Sequence, residues 1–444
     1  MSAKKKNGDL LSSWKEIAKY LKCGERTCRR WEQNYGLPIH RIDDNSKTTV
    51  FAYKDELDEW LQSRRDRTII STDKSKWYKS PYLFLPMIIV GLFLLYFFFM
   101  RKAIDLQPYD FKISNSILRI LTEENKELWH YDTGIHNLKT EDFYRDCFQN
   151  KKIAANKYGV DRTLPYLMIK DINNDGNNEV LFSIQTEDEL REDVLHCFDH
   201  KGQKLWEYTT GKELKFGRII YSSDYRVHGF DVNDIDNDGS FEIIVFSYHK
   251  PDFPCQLLVL NSEGNKLGEY WNSGQLKDTA YVDLDNDGIK EIIIAGMNNE
   301  YAKSCLIVFD ANSIKGCSPQ KKDFWLCKEL APGSERCYIL FPHIDIALLK
   351  ALMEPISLID VLKNSRLKIM TGASAIYYEL NSRLELQNIR LSHRFQLLYR
   401  EALKDRKITK ELNQEKYIQE LSGGLLYWDG QNWVTTPTMT ANWK

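Results

Sequence analysis

The chain has 444 residues, too many for one ordinary domain, and its 12% aromatic content supplies bulk for large cores. Its net charge of -2 hides an asymmetry: residues 1–80 carry 18 Lys and Arg against 12 Asp and Glu, the remainder 43 against 51. A small basic head and a large acidic body point to different partners at the two ends. The nine cysteines contain no CxxC pair and no Cys/His metal spacing, which leaves open buried thiols or a disulfide or two among the seven after residue 140.

The head spans 12–63. Ser13-Trp14-Lys15-Glu16 is a capping box that opens a short helix with Ile17, Ala18, Tyr20 and Leu21 on its apolar face. Lys22-Cys23-Gly24 is a tight turn, and Glu25 to Gln33 resumes a helix that Gly36 and Pro38 end. Residues 37–41 and 48–53 are expected as two strands around the turn 43–46, and 54–61 as a last helix. Two short helices around a glycine turn, the second rich in Arg, make a helix-turn-helix.

The stretch SWKEIAKYLKCGERTCRRWEQNYGLPIHRIDDNSKTTVFAYKDELDEWL resembles the winged helix-turn-helix of the MerR/excisionase superfamily. That resemblance implies a second helix in the major groove of double-stranded DNA and a wing on its backbone. Carried over by position, Arg26, Thr27, Arg29 and Arg30 meet DNA from the helix, and Arg41 and Lys47 from the wing. An Arg in the groove can bond guanine bidentately, whereas cations on phosphate give affinity without sequence information. The competing reading is a solvated basic helix in a protein–protein adaptor.

Residues 81–100, PYLFLPMIIVGLFLLYFFFM, carry no charge. Twenty apolar residues at ~1.5 Å rise span about 30 Å, a bilayer core, so a single-pass transmembrane helix is expected. Cations crowd the basic linker 64–80 more than the segment after 101, which puts the N-terminus in the cytoplasm of a bacterial inner membrane and 104–444 outside it, in the periplasm or beyond.

The body carries three loops of the form D-x-[DN]-x-D-G-x-x-E. The first holds Asp171, Asn173, Asp175, Asn177 and Glu179. The second holds Asp234, Asp236, Asp238, Ser240 and Glu242, and the third Asp283, Asp285, Asp287, Ile289 and Glu291. Calcium takes six to eight oxygens in flexible geometry. Side chains at positions 1, 3 and 5 can converge from one curled loop, position 7 offers a backbone carbonyl, and the Glu at position 9 closes the cage. An EF-hand needs Glu at position 12, which here is Phe182, Val245 or Ile294, and the flanks are strand-like. Up to three Ca2+ sites are expected, the first weaker because Asn173 leaves it three carboxylates.

A hairpin phrase follows the first two loops and begins after the third, its turn residue 28, 27 and 27 residues after the first Asp, while the loops themselves lie 63 and 49 apart. Constant offset within a unit and variable insertion between units is the signature of a repeated blade. Residues 118–129 repeat the phrase alone, so that unit starts incomplete. The loops resemble FG-GAP/VCBS repeats of integrin-α-like β-propellers. About 340 residues at about 45–50 per blade suggests six or seven blades. Leu425–Val434 reads as a hairpin closing the ring against the first strands, and Ser392–Leu403 as a capped amphipathic helix inserted on the propeller or serving a dimer.

The expected fold class is thus multidomain: a small α+β winged helix-turn-helix, one transmembrane helix, and a large all-β propeller with a helical insertion. No nucleophile elbow, Walker loop, HExxH or Gly-rich dinucleotide turn occurs, and nine scattered His form no constellation, so no enzyme is expected. The sequence points to a membrane-anchored one-component transcription regulator with an unknown extracytoplasmic ligand or protein partner, signalling most economically through a homodimer. The alternative is a calcium-stabilised adhesion or surface-scaffold protein with an adaptor head.

Overall fold

The computed structural model describes residues 9–44, 47–66, 106–156, 159–189, 192–250, 253–349, 355–372 and 374–438. The chain divides into two units, Met1–Lys102 and Ala103–Lys444.

In the N-terminal unit, helix α1 (Trp14–Tyr20) starts where the Ser13 side chain accepts the Glu16 N–H. Glu16 reaches back to the N–H of Ser12, 2.7 Å away, one residue earlier than a standard capping box requires. Helix α2 (Glu25–Tyr35) ends at Gly36, whose φ of 63° lets the N–H groups of Gly36 and Leu37 close on Glu32 and Trp31. Strand β1 (Leu10–Leu11), unforeseen in the sequence, pairs with β3 (Lys47–Tyr53), which pairs in turn with β2 (His40–Asp44). Helix α3 (Lys54–Asp66) follows without a break. Ile17, Ala18, Cys28, Leu37, Ala52 and Leu57 form one small buried core.

The second unit opens with a sheet of β4 (Asp110–Ser114), β5 (Ile117–Leu121) and β6 (Glu127–Asp132), then a hairpin of β7 (Lys152–Asn156) and β8 (Gly159–Thr163). The second sheet is β9 (Leu167–Lys170), β10 (Glu179–Ser183), β11 (Val194–Phe198) and β12 (Lys204–Thr209). After a short hairpin of β13 (Leu214–Phe216) and β14 (Ile219–Tyr221) comes the third, β15 (Tyr225–Asn233), β16 (Glu242–His249), β17 (Cys255–Leu260) and β18 (Lys266–Asn272). The fourth begins with β19 (Leu276–Val282), β20 (Glu291–Asn298) and β21 (Lys303–Phe309). Strand β22 (Lys315–Cys317) returns to lie parallel to β18, and β23 (Cys337–Leu340) rejoins β21. The fifth sheet is β24 (Ile356–Val361), β25 (Leu367–Thr371), β26 (Ile376–Leu380) and β27 (Leu386–Leu391). Helices α4 (His393–Lys404) and α5 (Gln414–Ser422) follow, and a terminal hairpin, β28 (Leu426–Trp428) and β29 (Trp433–Val434), adds to β23.

Each sheet packs on the next in chain order. Phe111 and Leu118 meet Val180 and Phe182; Leu181 and Cys197 meet Phe230 and Val245. Phe246 and Leu257 meet Ile294 and Ile307; Ile293 and Val308 meet Ile369 and Tyr378. Strands β10, β16 and β20 are buried on both faces and are therefore continuous apolar runs, whereas β12 alternates exposed and half-buried positions. Successive antiparallel sheets stacked in this way make a large propeller-like β domain.

Several expectations are corrected. Among the described residues strand exceeds helix, 40% to 17%, so the structure is mainly β, and the fold class that combined a winged helix-turn-helix head, a transmembrane helix and a propeller does not stand. The N-terminal unit is a small α+β body built on a three-stranded sheet, in place of the expected winged helix-turn-helix head. No helix among the described residues is long and apolar enough to cross a membrane, so the single-pass inner-membrane location is not supported. The apolar segment 81–100, and all but the start of the linker 64–80, lie outside the described residues. Among the described residues the second unit has five principal sheets rather than six or seven, because the largely strand-free stretches 318–336 and 392–425 use up chain length that the estimate assigned to strands. The C-terminal hairpin forms but extends the fourth sheet, not the first. The seven cysteines after residue 140 are buried free thiols, the first of the two alternatives.

Candidate metal centres

Each acidic loop joins the first and second strands of its sheet: β9 to β10, β15 to β16, and β19 to β20. The fourth residue of each loop adopts positive φ (Asn174 58°, Asn237 59°, Asn286 64°), as does the glycine at position 6 (Gly176 89°, Gly239 93°, Gly288 92°). Asn tolerates the left-handed region and Gly enters it freely, so the curl is written into both positions.

The same hydrogen bonds recur in all three. The glycine N–H donates to the first Asp: Gly176 to Asp171 at 2.9 Å, Gly239 to Asp234 at 3.2 Å, Gly288 to Asp283 at 3.0 Å. The N–H of position 7 donates to position 5: Asn177 to Asp175, Ser240 to Asp238, Ile289 to Asp287. The closing Glu accepts the N–H of position 2 through Oε2: Glu179 from Ile172 at 3.1 Å, Glu242 from Ile235 at 3.0 Å, Glu291 from Leu284 at 2.7 Å. Each Glu is the first residue of a buried strand, and burial pushes each carboxyl up to about 7. The loops also stack. Phe241 N–H donates to Ile172 O at 2.8 Å, and Lys290 N–H to Ile235 O at 3.1 Å, so position 8 of each loop docks on position 2 of the one before.

In the second loop, carboxylate oxygens of Asp234, Asp236 and Glu242 lie within 4.8 Å of one another, and in the third those of Asp283, Asp285 and Asp287 do. Asp234 Oδ1 is buried with no hydrogen-bond partner among the described residues. A hard divalent cation would satisfy that oxygen and the mutual repulsion of the carboxylates. The donor set is all oxygen, which suits calcium rather than a thiolate- or imidazole-seeking metal. The third loop differs: Arg336 Nη1 reaches Asp285 at 3.0 Å and Glu291 at 3.1 Å, and its Nε pairs with Asp310. No such carboxylate cluster forms in the first loop, where Gln107 instead bonds Asn177 and Asn178.

Sequence reasoning missed two arrangements. Trp129 Nε1 donates to His200 O at 3.1 Å and Trp206 Nε1 to Ser262 O at 2.8 Å, tying each hairpin turn to the sheet before it. A side chain at Gly202 or Gly264 would run into these rings. The second is a charge cluster around the fully buried Asp278. Lys151 Nζ lies 2.9 Å from Asp231 and 3.7 Å from Asp278; Arg162 lies 2.8 Å from Asp278 and 2.8 Å from Asp360. One hairpin and its flank thus bridge the first strands of the third, fourth and fifth sheets. The five residues are far apart in sequence and carry no motif.

In the N-terminal unit, Arg26, Arg29 and Arg30 are exposed on α2 and Thr27 is half-buried, opposite the buried Cys28. The Arg29 guanidinium lies over the Trp14 ring at 5.1 Å. Arg41, on β2, is engaged by Glu32 of α2 at 2.6 Å rather than standing clear of the protein. Lys47 opens β3, and its side chain lies outside the described residues.

No family model matches the chain, so neither the MerR/excisionase nor the FG-GAP/VCBS resemblance gains support from one. No curated protein matches it either. Among solved structures, the Dos1 propeller aligns over 63% of this chain and 65% of its own, with 9% identity and a TM-score of 0.31. A Bacteroides caccae protein of unknown function aligns over 65% of this chain and 96% of its own, with 12% identity and a TM-score of 0.22. The Vibrio cholerae biofilm matrix protein Bap1 aligns over 65% and 46%, with 11% identity and a TM-score of 0.20. The chain therefore spans less than two thirds of the Dos1 propeller and less than half of Bap1. Likenesses this distant leave the sheet order and packing above to carry the description of the fold.

Proposed function

We propose that this chain is a transcription regulator: its N-terminal unit binds double-stranded DNA, and its propeller-like domain, braced by calcium, receives a ligand or partner protein. The observation that carries the DNA reading is the exposed row Arg26, Arg29 and Arg30 along one side of α2, with the unit's core on the other. Guanidinium groups on an exposed helix suit phosphate and guanine edges. The calcium reading is supported by the convergence of Asp234, Asp236 and Glu242 and by the unpartnered Asp234 oxygen. These loops sit between strands that the core already fixes, so calcium acts structurally.

The Arg41–Glu32 pair favours a second reading, in which the N-terminal unit is a protein adaptor and the whole a calcium-stabilised scaffold, because it removes one cation from the surface available to phosphate. A salt series with the full chain and random duplex DNA separates the two. A regulator binds tightly at low salt and loses affinity steeply as salt rises. Absence of binding at low salt would replace the regulator with the scaffold.

A further inference from the structure

The Sγ atoms of Cys23 and Cys28 lie 3.2 Å apart. Cys23 sits in the turn between α1 and α2 and is partly exposed, its N–H held by Ala18 O at 3.0 Å. Cys28, one turn into α2, is fully buried among Ile17, Ala18, Leu37, Ala52 and Leu57. The other seven cysteines are all buried, so Cys23 is the one thiol of nine that solvent reaches. A disulfide requires sulfur atoms about 2.05 Å apart, so the pair needs an approach of roughly 1 Å, within the play of two side-chain torsions.

We propose that Cys23 and Cys28 form a reversible disulfide site, oxidised by low-molecular-weight disulfides of the glutathione type. The Cys23 thiolate attacks one sulfur of the oxidant, forming a mixed disulfide and releasing one thiol. The Cys28 thiol then gives up its proton and attacks the Cys23 sulfur, expelling the second thiol. Two protein thiols lose two electrons, and one small disulfide becomes two small thiols, so the exchange balances. The order follows from access: an oxidant meets Cys23 and cannot meet Cys28. Burial, and contact with Cys23, also push the Cys28 thiol up to about 12, which keeps it from starting the exchange; the part of that rise owed to the Cys23 thiol ends once Cys23 is in the mixed disulfide. The finished bond spans residues 24–27, the start of α2, and braces the turn from which Arg26, Arg29 and Arg30 follow.

The test reads the bond itself and needs no DNA, so its outcome is independent of the regulator reading. The folded full-length chain is treated with glutathione disulfide, alkylated, and cut with trypsin without reduction. Trypsin cleaves after Arg26, between the two cysteines. The expected product is peptide 23–26 joined to peptide 27–29, with two of nine free thiols lost and both restored by dithiothreitol. Glutathione remaining on Cys23 with Cys28 alkylated, or no reaction at either, would overturn the proposal. In Cys23→Ser, Cys28 should stay unmodified under the same treatment, and its direct glutathionylation would overturn the order of attack.

Discussion

Arg336 Nη1 sits between Asp285, at 3.0 Å, and Glu291, at 3.1 Å, so a guanidinium already rests on two of the carboxylates that would close the third loop around a cation. The second loop has no comparable cation on its carboxylates among the described residues. Calcium should therefore bind the second loop first. Arg336→Gln removes the competing charge and should tighten the third site about tenfold, an effect of ~1.4 kcal/mol. Calorimetric titration of Arg336→Gln beside Asp236→Asn would check this: the first should strengthen the weaker phase and the second abolish the stronger. Equal affinities in the parent chain would contradict the ranking.

Asp278 is fully buried yet accepts charge from both Lys151 and Arg162, and it also takes the N–H of Ile359 at 2.8 Å. Its replacement leaves each cation with one carboxylate fewer, Lys151 keeping Asp231 and Arg162 keeping Asp360. Asp278→Asn should destabilise the second unit by about 1–3 kcal/mol, the cost of losing charge-assisted hydrogen bonds at a buried acceptor. Urea unfolding would measure it, and a loss below about 1 kcal/mol would mean that water reaches the cluster.

Glu335 is buried at the edge of the fourth sheet beside Tyr270, and burial pushes its carboxyl up to about 7, against an ordinary value near 4.5. Between those values the folded chain holds a proton that the unfolded chain has released. Stability from this group is therefore full below about pH 4.5 and declines as pH rises through 7. Glu335→Gln should raise the melting temperature at pH 8 relative to the parent and gain little at pH 5. A uniform shift at both would show that the carboxyl is ionised throughout.

Arg26 and Arg30 are four residues apart on α2 and exposed, whereas Arg41 is spent on Glu32. On the regulator reading, Arg26→Ala and Arg30→Ala should each weaken DNA binding and, where the lost contact is to phosphate, lower the salt slope by about one. Arg41→Ala should change little, and Glu32→Gln, which frees Arg41, should strengthen binding. Fluorescence anisotropy across a salt series distinguishes these outcomes. A dominant effect from Arg41→Ala would relocate the contact to the hairpin.

Local features were legible because they depend on neighbours in sequence. Ser13 caps α1, Gly36 stops α2, Ser392 caps α4, and the Gly positions of the acidic loops turn as expected, with positive φ at the preceding Asn added by the structure. The hairpin phrase also placed β5–β6, β11–β12 and β17–β18. It missed the same turn in the fifth sheet, where Asn381 to Glu385 repeats the hydrogen bonds but Leu384 takes the glycine position, at φ 59°. Helix α5 was missed because its apolar face is short; through Leu421 it joins the core of the fifth sheet.

The sequence by itself determined the acidic loops, the strands around them and the Arg-bearing helix, since short-range hydrogen bonds and periodicity decide those. Only the tertiary structure decided how many sheets form, that the terminal hairpin joins β23, that Arg336 enters the third loop and that Lys151 and Arg162 bridge three sheets. Those contacts join residues tens to hundreds of positions apart. Their partners are selected by which faces pack and which charges must be neutralised on burial, and no local pattern in the chain encodes that choice.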